Sequence, residues 1–480
     1  MLRRRIVSSL AATATALLVG GGALSPAFAS VQTSQENVGD ILGAPAAVEK
    51  SANERIAAWQ KLQFGLFMHW GVYSMFGGSY KGQVQSIGYP EQIKAWMNIP
   101  REEYLKEAKK MTADKWDAAK ICQTAKNAGM KYVMVTSKHH DGFAMWDTKT
   151  TDYNVVKQTA FGKDPMKQLA DECGKIDMKL AFYFSIIDWE KHDPEPYSNT
   201  NPITEEHLQY NLDQITELLT NYGPIAEFWF DMGGPTATQS QKMADKVHEL
   251  QPNTTVVNSR VWNNKGDFNV GGDNAVHSSF SIGPWESIRS IFPRCWSYCS
   301  DSRANRSAGT ANRAISETIS NLVGVIANDG NFAFNVGPMG DGSFPEYDEY
   351  VLKELGTWHT DHPHAIDGAS ATWIPAPSNA LLTVNGSDLY IFPKQWNPGE
   401  SITVRGLANN VTSVTVDGKG TPVQFARNGL DLTVTMSGES PDKYRPVIKV
   451  ALDGEARYVP TQTVNLDHGS GTVPDRKSVV

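Results

Sequence analysis

From residue 54 to about residue 358, short apolar runs alternate with amphipathic stretches. The runs cover residues 65–71, 131–137, 179–185, 226–231, 255–258 and 331–336. They are rich in aromatic and β-branched residues and mostly lack strict apolar–polar alternation, the pattern of strands buried on both faces of a parallel sheet. Stretches of helical periodicity lie between them, at 101–110, 116–128, 164–175, 205–221 and 311–328. A strand-then-helix rhythm over ~300 residues predicts an α/β fold, a (β/α)8-like barrel.

Beyond residue 364 the pattern changes to short alternating runs at 381–384, 389–392, 401–404, 411–416, 422–425, 430–435 and 447–452. Turn pairs such as Asn385-Gly386, Asp417-Gly418 and Asn428-Gly429 separate them. This predicts a C-terminal antiparallel β-sandwich over residues 365–453, after a catalytic barrel over 30–364. Residues 454–480 have no periodic apolar pattern and are expected to form a mobile tail.

Polar and aromatic residues gather where the barrel runs end. His69 and Trp70 end the first run, Lys138, His139, His140 and Asp141 follow the second, and Asp188 and Trp189 follow the third. Asp231 closes the fourth and Arg260 follows the fifth. In a (β/α)8 barrel these positions form the C-terminal rim, where active sites sit, so five such ends predict one shared site.

Composition narrows the class. Arg3, Arg4 and Arg5 precede an apolar stretch, and Ala27-Phe28-Ala29 supplies a small-x-small cleavage pattern. Residues 1–29 therefore read as a signal peptide, with the mature chain beginning at Ser30 and exported from the cell. No later apolar run is long enough to span a membrane. The formal charge of −8, spread without long runs, argues against nucleic acid or an anionic membrane as partner. No CxxC pair or HExxH occurs, so neither zinc nor another metal cofactor is expected. Four cysteines are too few for a disulfide scaffold, although Cys295 and Cys299 are candidates to pair in an exported protein.

Retaining glycosidases use two carboxyl groups about 5 Å apart, one as nucleophile and one as acid and then base. Asp231, ending Phe228-Trp229-Phe230-Asp231 ahead of Met232-Gly233-Gly234, is a candidate nucleophile. An Asp capping the next turn would give the same pattern, so the spacing alone leaves both readings open.

Four segments make a resemblance specific. They are FGLFMHWGVYS at 64–74, TSKHHDGFAMW at 136–146, FWFD at 228–231 and GNFAFNVGPMGDG at 330–342. Together they resemble the signatures of glycoside hydrolase family 29, the α-L-fucosidases, in order and approximate spacing over about residues 50–365. The resemblance implies a retaining exo-α-L-fucosidase that needs no metal and acts on fucosylated oligosaccharides or glycoconjugates. It puts Asp231 on the nucleophile and His69, His139 and His140 on histidines that hold fucose hydroxyls. Imidazole suits a hydroxyl because it donates at one nitrogen and accepts at the other. Trp70 packs beside the sugar or supports His69, and Tyr183, Trp229 and Arg260 fall beside the sugar pocket, with Arg260 able to keep Asp231 ionised.

The chain also departs from the family. Many members have Glu-Trp after the first strand, whereas this chain reads Tyr89-Pro90-Glu91-Gln92; Glu91 keeps the acidic position and Trp96 is the candidate for the missing tryptophan. Asn258-Ser259-Arg260 has Ser where Asp is common. Two carboxyl groups compete for the acid/base role, Asp273 and Glu286. In the family a segment similar to Gly266-Asp267-Phe268 precedes the acid by a few residues, which favours Asp273. Glu286, beside Trp285, reads as a pocket-rim contact or as the alternative acid. Two other functions share these features: a glycosidase of different specificity on the same barrel, and an inactive, lectin-like fucose-binding protein.

Overall fold

Eight parallel strands form the central sheet: β1 (Phe64–Met68), β2 (Tyr132–Lys138), β3 (Lys179–Ser185), β4 (Ile225–Asp231), β5 (Val256–Val257), β6 (Asn269–Val270), β7 (Trp285–Ser290) and β8 (Asn331–Val336). These come from a computed structural model that describes residues 43–193, 195–276 and 283–460. The expected leader at 1–29 and residues 461–480 lie outside the described residues. The strand order is β5-β4-β3-β2-β1-β8-β7-β6. The two edge strands meet through one parallel bridge, Asn258 to Phe268, which closes the ring. Asp267 braces this seam by accepting from Arg55 Nη2 at 2.7 Å and from the Val257 amide at 2.8 Å.

Among the described residues, six helices of ten residues or more follow strands around the barrel: α1 (Ala118–Asn127), α2 (Pro165–Lys175), α3 (Glu205–Thr220), α4 (Ala237–Leu250), α5 (Ala308–Ile326) and α6 (Glu346–Asp361). Asp117, Asp164, Thr204 and Thr236 each accept from a first-turn amide, which fixes where the first four begin. A disulfide between Cys122 and Cys173 ties α1 to α2, and a second joins Cys295 to Cys299. Among the described residues no α-helix follows β5 or β6; β5 is followed only by a 3-10 turn, Ser259–Val261. Chain that would otherwise form helices there carries Arg260 and Asp273.

Alternation along each strand sorts side chains between two cores. Phe67, Tyr132, Met134, Ala181, Tyr183, Trp229 and Ile288 fill the barrel interior. Their neighbours Leu66, Val133, Phe182, Phe228 and Phe230 pack outward under the helices. Gly65 is required at the floor: a Cβ there would lie 2.2 Å from Cζ of Tyr132.

The sequence predicts six of the eight strands. Asn269–Val270 is too short to show periodicity, and Trp285–Ser290 mixes apolar and polar residues. Helices α4 and α6 likewise fall outside the five stretches of helical periodicity.

After the barrel, β9 (Ala380–Asn385), β10 (Asp388–Pro393), β11 (Ser401–Val404), β12 (Val411–Val416), β13 (Gln424–Asn428), β14 (Asp431–Thr435) and β15 (Ile448–Leu452) form two antiparallel sheets, β9-β10-β15-β12 and β11-β14-β13. Leu389 and Ile391 share one buried cluster with Ile402 and Val434 from the other sheet. On the opposite face of β10, Tyr390 and Phe392 join the barrel-side core. Trp358 of α6 completes this joint by donating to the Arg445 carbonyl at 2.8 Å. The start of the expected tail is ordered: Arg457–Tyr458 pairs with Ala44–Pro45, so both ends of the described chain meet beside the sandwich.

Candidate active site

Asp231 is the last residue of β4, and strand alternation turns it into the barrel mouth. Its Oδ2 accepts from the Tyr183 hydroxyl at 2.7 Å, and its Oδ1 accepts from Arg260 Nη1 at 2.8 Å. Burial alone would raise its pKa. The Arg260 charge, the nearby His140 and the two hydrogen bonds outweigh burial and leave the carboxyl below its ordinary range. Tyr183 is pushed well above the usual phenol value by burial and by the Asp231 charge, so it remains a donor. Arg260 also reaches the Gly271 carbonyl and Asp273 Oδ1, each at 3.0 Å from Nη2, and lies 4.9 Å from the Trp229 ring centre. One guanidinium therefore links both candidate catalytic carboxylates.

Three imidazoles share the cavity with Asp231. Burial lowers His69 to about 3 and His140 to about 4, and takes His139 well below its usual value. All three are neutral at pH 7, and their tautomers follow from their partners. Asn335 donates through Nδ2 to Ser290 Oγ and the Trp296 carbonyl, so its Oδ1 accepts from His69 Nδ1 at 2.8 Å. Ser185 donates to the Ile187 carbonyl, so its oxygen accepts from His140 Nδ1 at 2.7 Å. Both rings then carry a lone pair on Nε2. That of His140 lies 3.9 Å from Asp231 Oδ2, too far for a direct hydrogen bond. Among the described residues, His139 Nδ1 has no hydrogen-bond partner. The cavity is small, with a volume of about 70 Å³. Among the described residues, no group of three His, Cys, Asp or Glu converges as metal ligands would.

Residues 40–363 match the sequence profile of a family described as Alpha-L-fucosidase, about two thirds of the chain. The chain belongs to the α-L-fucosidase family. It is thereby a glycoside hydrolase. An α-L-fucosidase from Dictyostelium discoideum is 24% identical over 429 residues, covering 82% of this chain and 91% of that protein. The crystal structure of an α-L-fucosidase from Vibrio sp. strain EJY3 superposes with a TM-score of 0.76 at 27% identity, covering 85% of this chain and 74% of that one. A family-29 α-L-fucosidase from Bacteroides thetaiotaomicron, described as a trapped covalent intermediate in complex with 2-fluoro-fucosyl fluoride, superposes at 0.75. It is 24% identical, covers 85% of this chain and 98% of its own, and is a likeness of fold.

Against this fucosidase frame, most of the expected residues converge. His69, Glu91, His139, His140, Tyr183, Trp229, Asp231, Arg260 and Asp273 all line the cavity. Glu91 is buried, accepts from the Ser297 amide at 3.0 Å, and is pushed up to about 7, chiefly by burial. Asp273 is the more open carboxyl, its side chain 38% exposed against 12% for Asp231.

Glu286, Trp70 and Trp96 are not among the residues lining the cavity. Glu286 is the second residue of β7 and therefore lies deep in the barrel, below the rim. Its oxygens accept from the Tyr132 hydroxyl at 2.6 Å and from Trp229 Nε1 at 3.0 Å. Burial raises both Glu286 and its neighbour Glu227, the latter further through the Glu286 charge. Glu286 thus fixes the Trp229 ring from beneath. Trp70 stacks on Trp116 at 4.2 Å and donates to the Met339 carbonyl at 2.9 Å, behind the cavity wall. Trp96 donates to Gln92 and packs on Trp189.

Besides Trp229, a second tryptophan lines the cavity, Trp296, which the sequence reading missed. It sits inside the Cys295–Cys299 ring and lies 5.4 Å from His69, centre to centre. The same ring carries Ser297, the partner of Glu91. A tryptophan between two closely spaced cysteines was the available signal.

Proposed function

We propose that the chain is an exported, retaining exo-α-L-fucosidase that removes terminal α-L-fucose from oligosaccharides or glycoconjugates through a covalent fucosyl–enzyme intermediate. The observation carrying this reading is Asp231: a carboxylate held ionised by Arg260 and Tyr183 at the end of a small cavity walled by neutral imidazoles. In this reading Asp231 attacks the anomeric carbon while Asp273 protonates the departing oxygen. Asp273 then takes a proton from water, which cleaves the ester from the same face, giving net retention. The Nε2 lone pairs of His69 and His140 accept from sugar hydroxyls. Trp229, set by Glu286, and Trp296 pack against the apolar face of the ring. No step requires a metal.

One observation favours a second assignment of the proton donor. Glu91 lines the same cavity and, at about 7, is protonated in the range a general acid needs. Chemical rescue separates the two. Removing the true acid hurts substrates with poor leaving groups far more than activated aryl fucosides, and azide restores only the latter.

The activity is tested by hydrolysis of an aryl α-L-fucoside beside the matching galactoside and xyloside, with the first-formed anomer read by NMR. Preferential release of α-L-fucose supports the reading. Fucose binding without turnover would favour a lectin, and an inverted first product would exclude a covalent intermediate. The signal-peptide reading is tested by secretion and N-terminal sequencing, with Ser30 as the expected first residue.

A further inference from the structure

Beside the cavity, Trp262 occupies a backbone conformation that other residues avoid. Its φ of 69° and ψ of 177° lie in a region that is essentially reserved for glycine. Asn263 and Asn264 also have positive φ, at 54° and 56°. A bulky residue persists there only when its surroundings impose the geometry. Here they do. The Trp262 amide donates to the Ser259 carbonyl at 3.0 Å. The Asn263 side chain donates to the Pro235 carbonyl at 3.0 Å and to Ser240 Oγ at 2.9 Å. The indole N–H donates to the Met232 carbonyl at 2.9 Å. Met232 directly follows Asp231, has a positive φ of 61° itself, and lines the cavity.

This strain does not serve burial, because Trp262 is 38% exposed. Its polar edge is tied to the turn after Asp231, which leaves the apolar indole body available to solvent. It is also two residues from Arg260, whose Nη2 holds Asp273. The ring is therefore anchored to the turn after Asp231, beside the cavity, and two residues along the chain from Arg260, whose guanidinium holds the carboxyl group proposed to protonate the leaving oxygen.

We propose that Trp262 is the platform for the leaving group: its ring packs against the apolar face of the sugar to which the fucosyl unit is attached. This inference rests on the fucosidase reading above. A leaving-group sugar has to lie outside the pocket that holds the fucosyl ring, close to the proton donor. Aromatic rings and pyranose C–H faces are complementary apolar surfaces. Trp262 is then a specificity residue, acting on what fucose is attached to rather than on fucose.

The test compares two substrates with the same fucosyl unit. In α-L-fucosyl fluoride the leaving group has no ring; in a fucosyl-hexopyranose disaccharide it is a sugar. Trp262→Gly removes the ring while fitting the backbone conformation without steric cost, so it is expected to fold. Trp262→Phe keeps an aromatic ring. The measured quantity is the ratio of kcat/KM for the disaccharide to kcat/KM for the fluoride. It is expected to fall about tenfold in Trp262→Gly and to return to within about threefold of wild type in Trp262→Phe. A wild-type ratio in Trp262→Gly, including one in which both rates fall together, would overturn the proposal and reduce Trp262 to a support for the Met232 turn. Absence of wild-type turnover on the fluoride would instead count against the fucosidase reading itself.

Discussion

Arg260 Nη1 donates to Asp231 Oδ1 at 2.8 Å, and this contact keeps a buried carboxylate charged. Without the cation, burial would dominate and the Asp231 pKa would rise. Arg260→Met is therefore expected to move the acidic limb of kcat/KM to higher pH, because that profile reports groups of the free enzyme. At the optimum, activity should fall by roughly a hundredfold or more, as loss of a buried charge partner implies. A loss of activity with an unmoved acidic limb would assign Arg260 to binding alone.

His140 bears on stability as well as binding. Its pKa is lowered from 6.5 to about 4, chiefly by burial. A depressed group stabilises the fold above its unfolded pKa and loses that contribution as pH falls. Between pH 6.5 and 4 the wild type should lose stability faster than His140→Gln, measured by denaturant midpoints. Equal pH dependence would mean that the imidazole is not held neutral.

Glu91 has the opposite sign. Burial raises it from 4.5 to about 7, so its contribution is fully present below 4.5 and is lost as pH rises through 7. Relative to wild type, Glu91→Gln should gain stability between pH 4.5 and 8, read by thermal melts in matched buffers. If Glu91 is the proton donor, the same variant also shows azide rescue on an aryl fucoside; as a hydroxyl contact it shows a raised KM without rescue.

The Cys295–Cys299 ring holds Trp296 in the cavity and Ser297 on Glu91. Replacing both cysteines by serine is expected to raise KM for an aryl fucoside by about three- to tenfold, with a smaller change in kcat. Steady-state kinetics at pH 6 to 7 would check this. An equal loss in kcat would mean that the loop also positions the reacting groups.

Much of this site was legible because barrel strands end at one rim. His69, His140 and Asp231 could be placed together because each ends or closely follows a strand at that rim. Depth along the barrel was not legible. Glu286 lies on a strand whose mixed pattern hid it, so nothing marked it as four residues below the rim-level Ser290, on the strand that pairs with β8. Trp296 was missed because its position depends on a loop closed by a disulfide rather than on periodicity. The Cys122–Cys173 bond joins residues 51 apart and depends on two helices packing side by side. The ordered pairing of Arg457–Tyr458 was equally hidden, since its partner Ala44–Pro45 lies at the far end of the chain.

The central claim is that Asp231 forms the covalent bond to the sugar. Incubation with 2-fluoro-fucosyl fluoride, proteolysis and mass spectrometry should find the fluorofucosyl group on the peptide containing Asp231. Asp231→Gly should take no label and should lose roughly four orders of magnitude in turnover or more while still folding. Label on Asp273, Glu91 or any other residue, or unimpaired labelling of Asp231→Gly, would contradict the account.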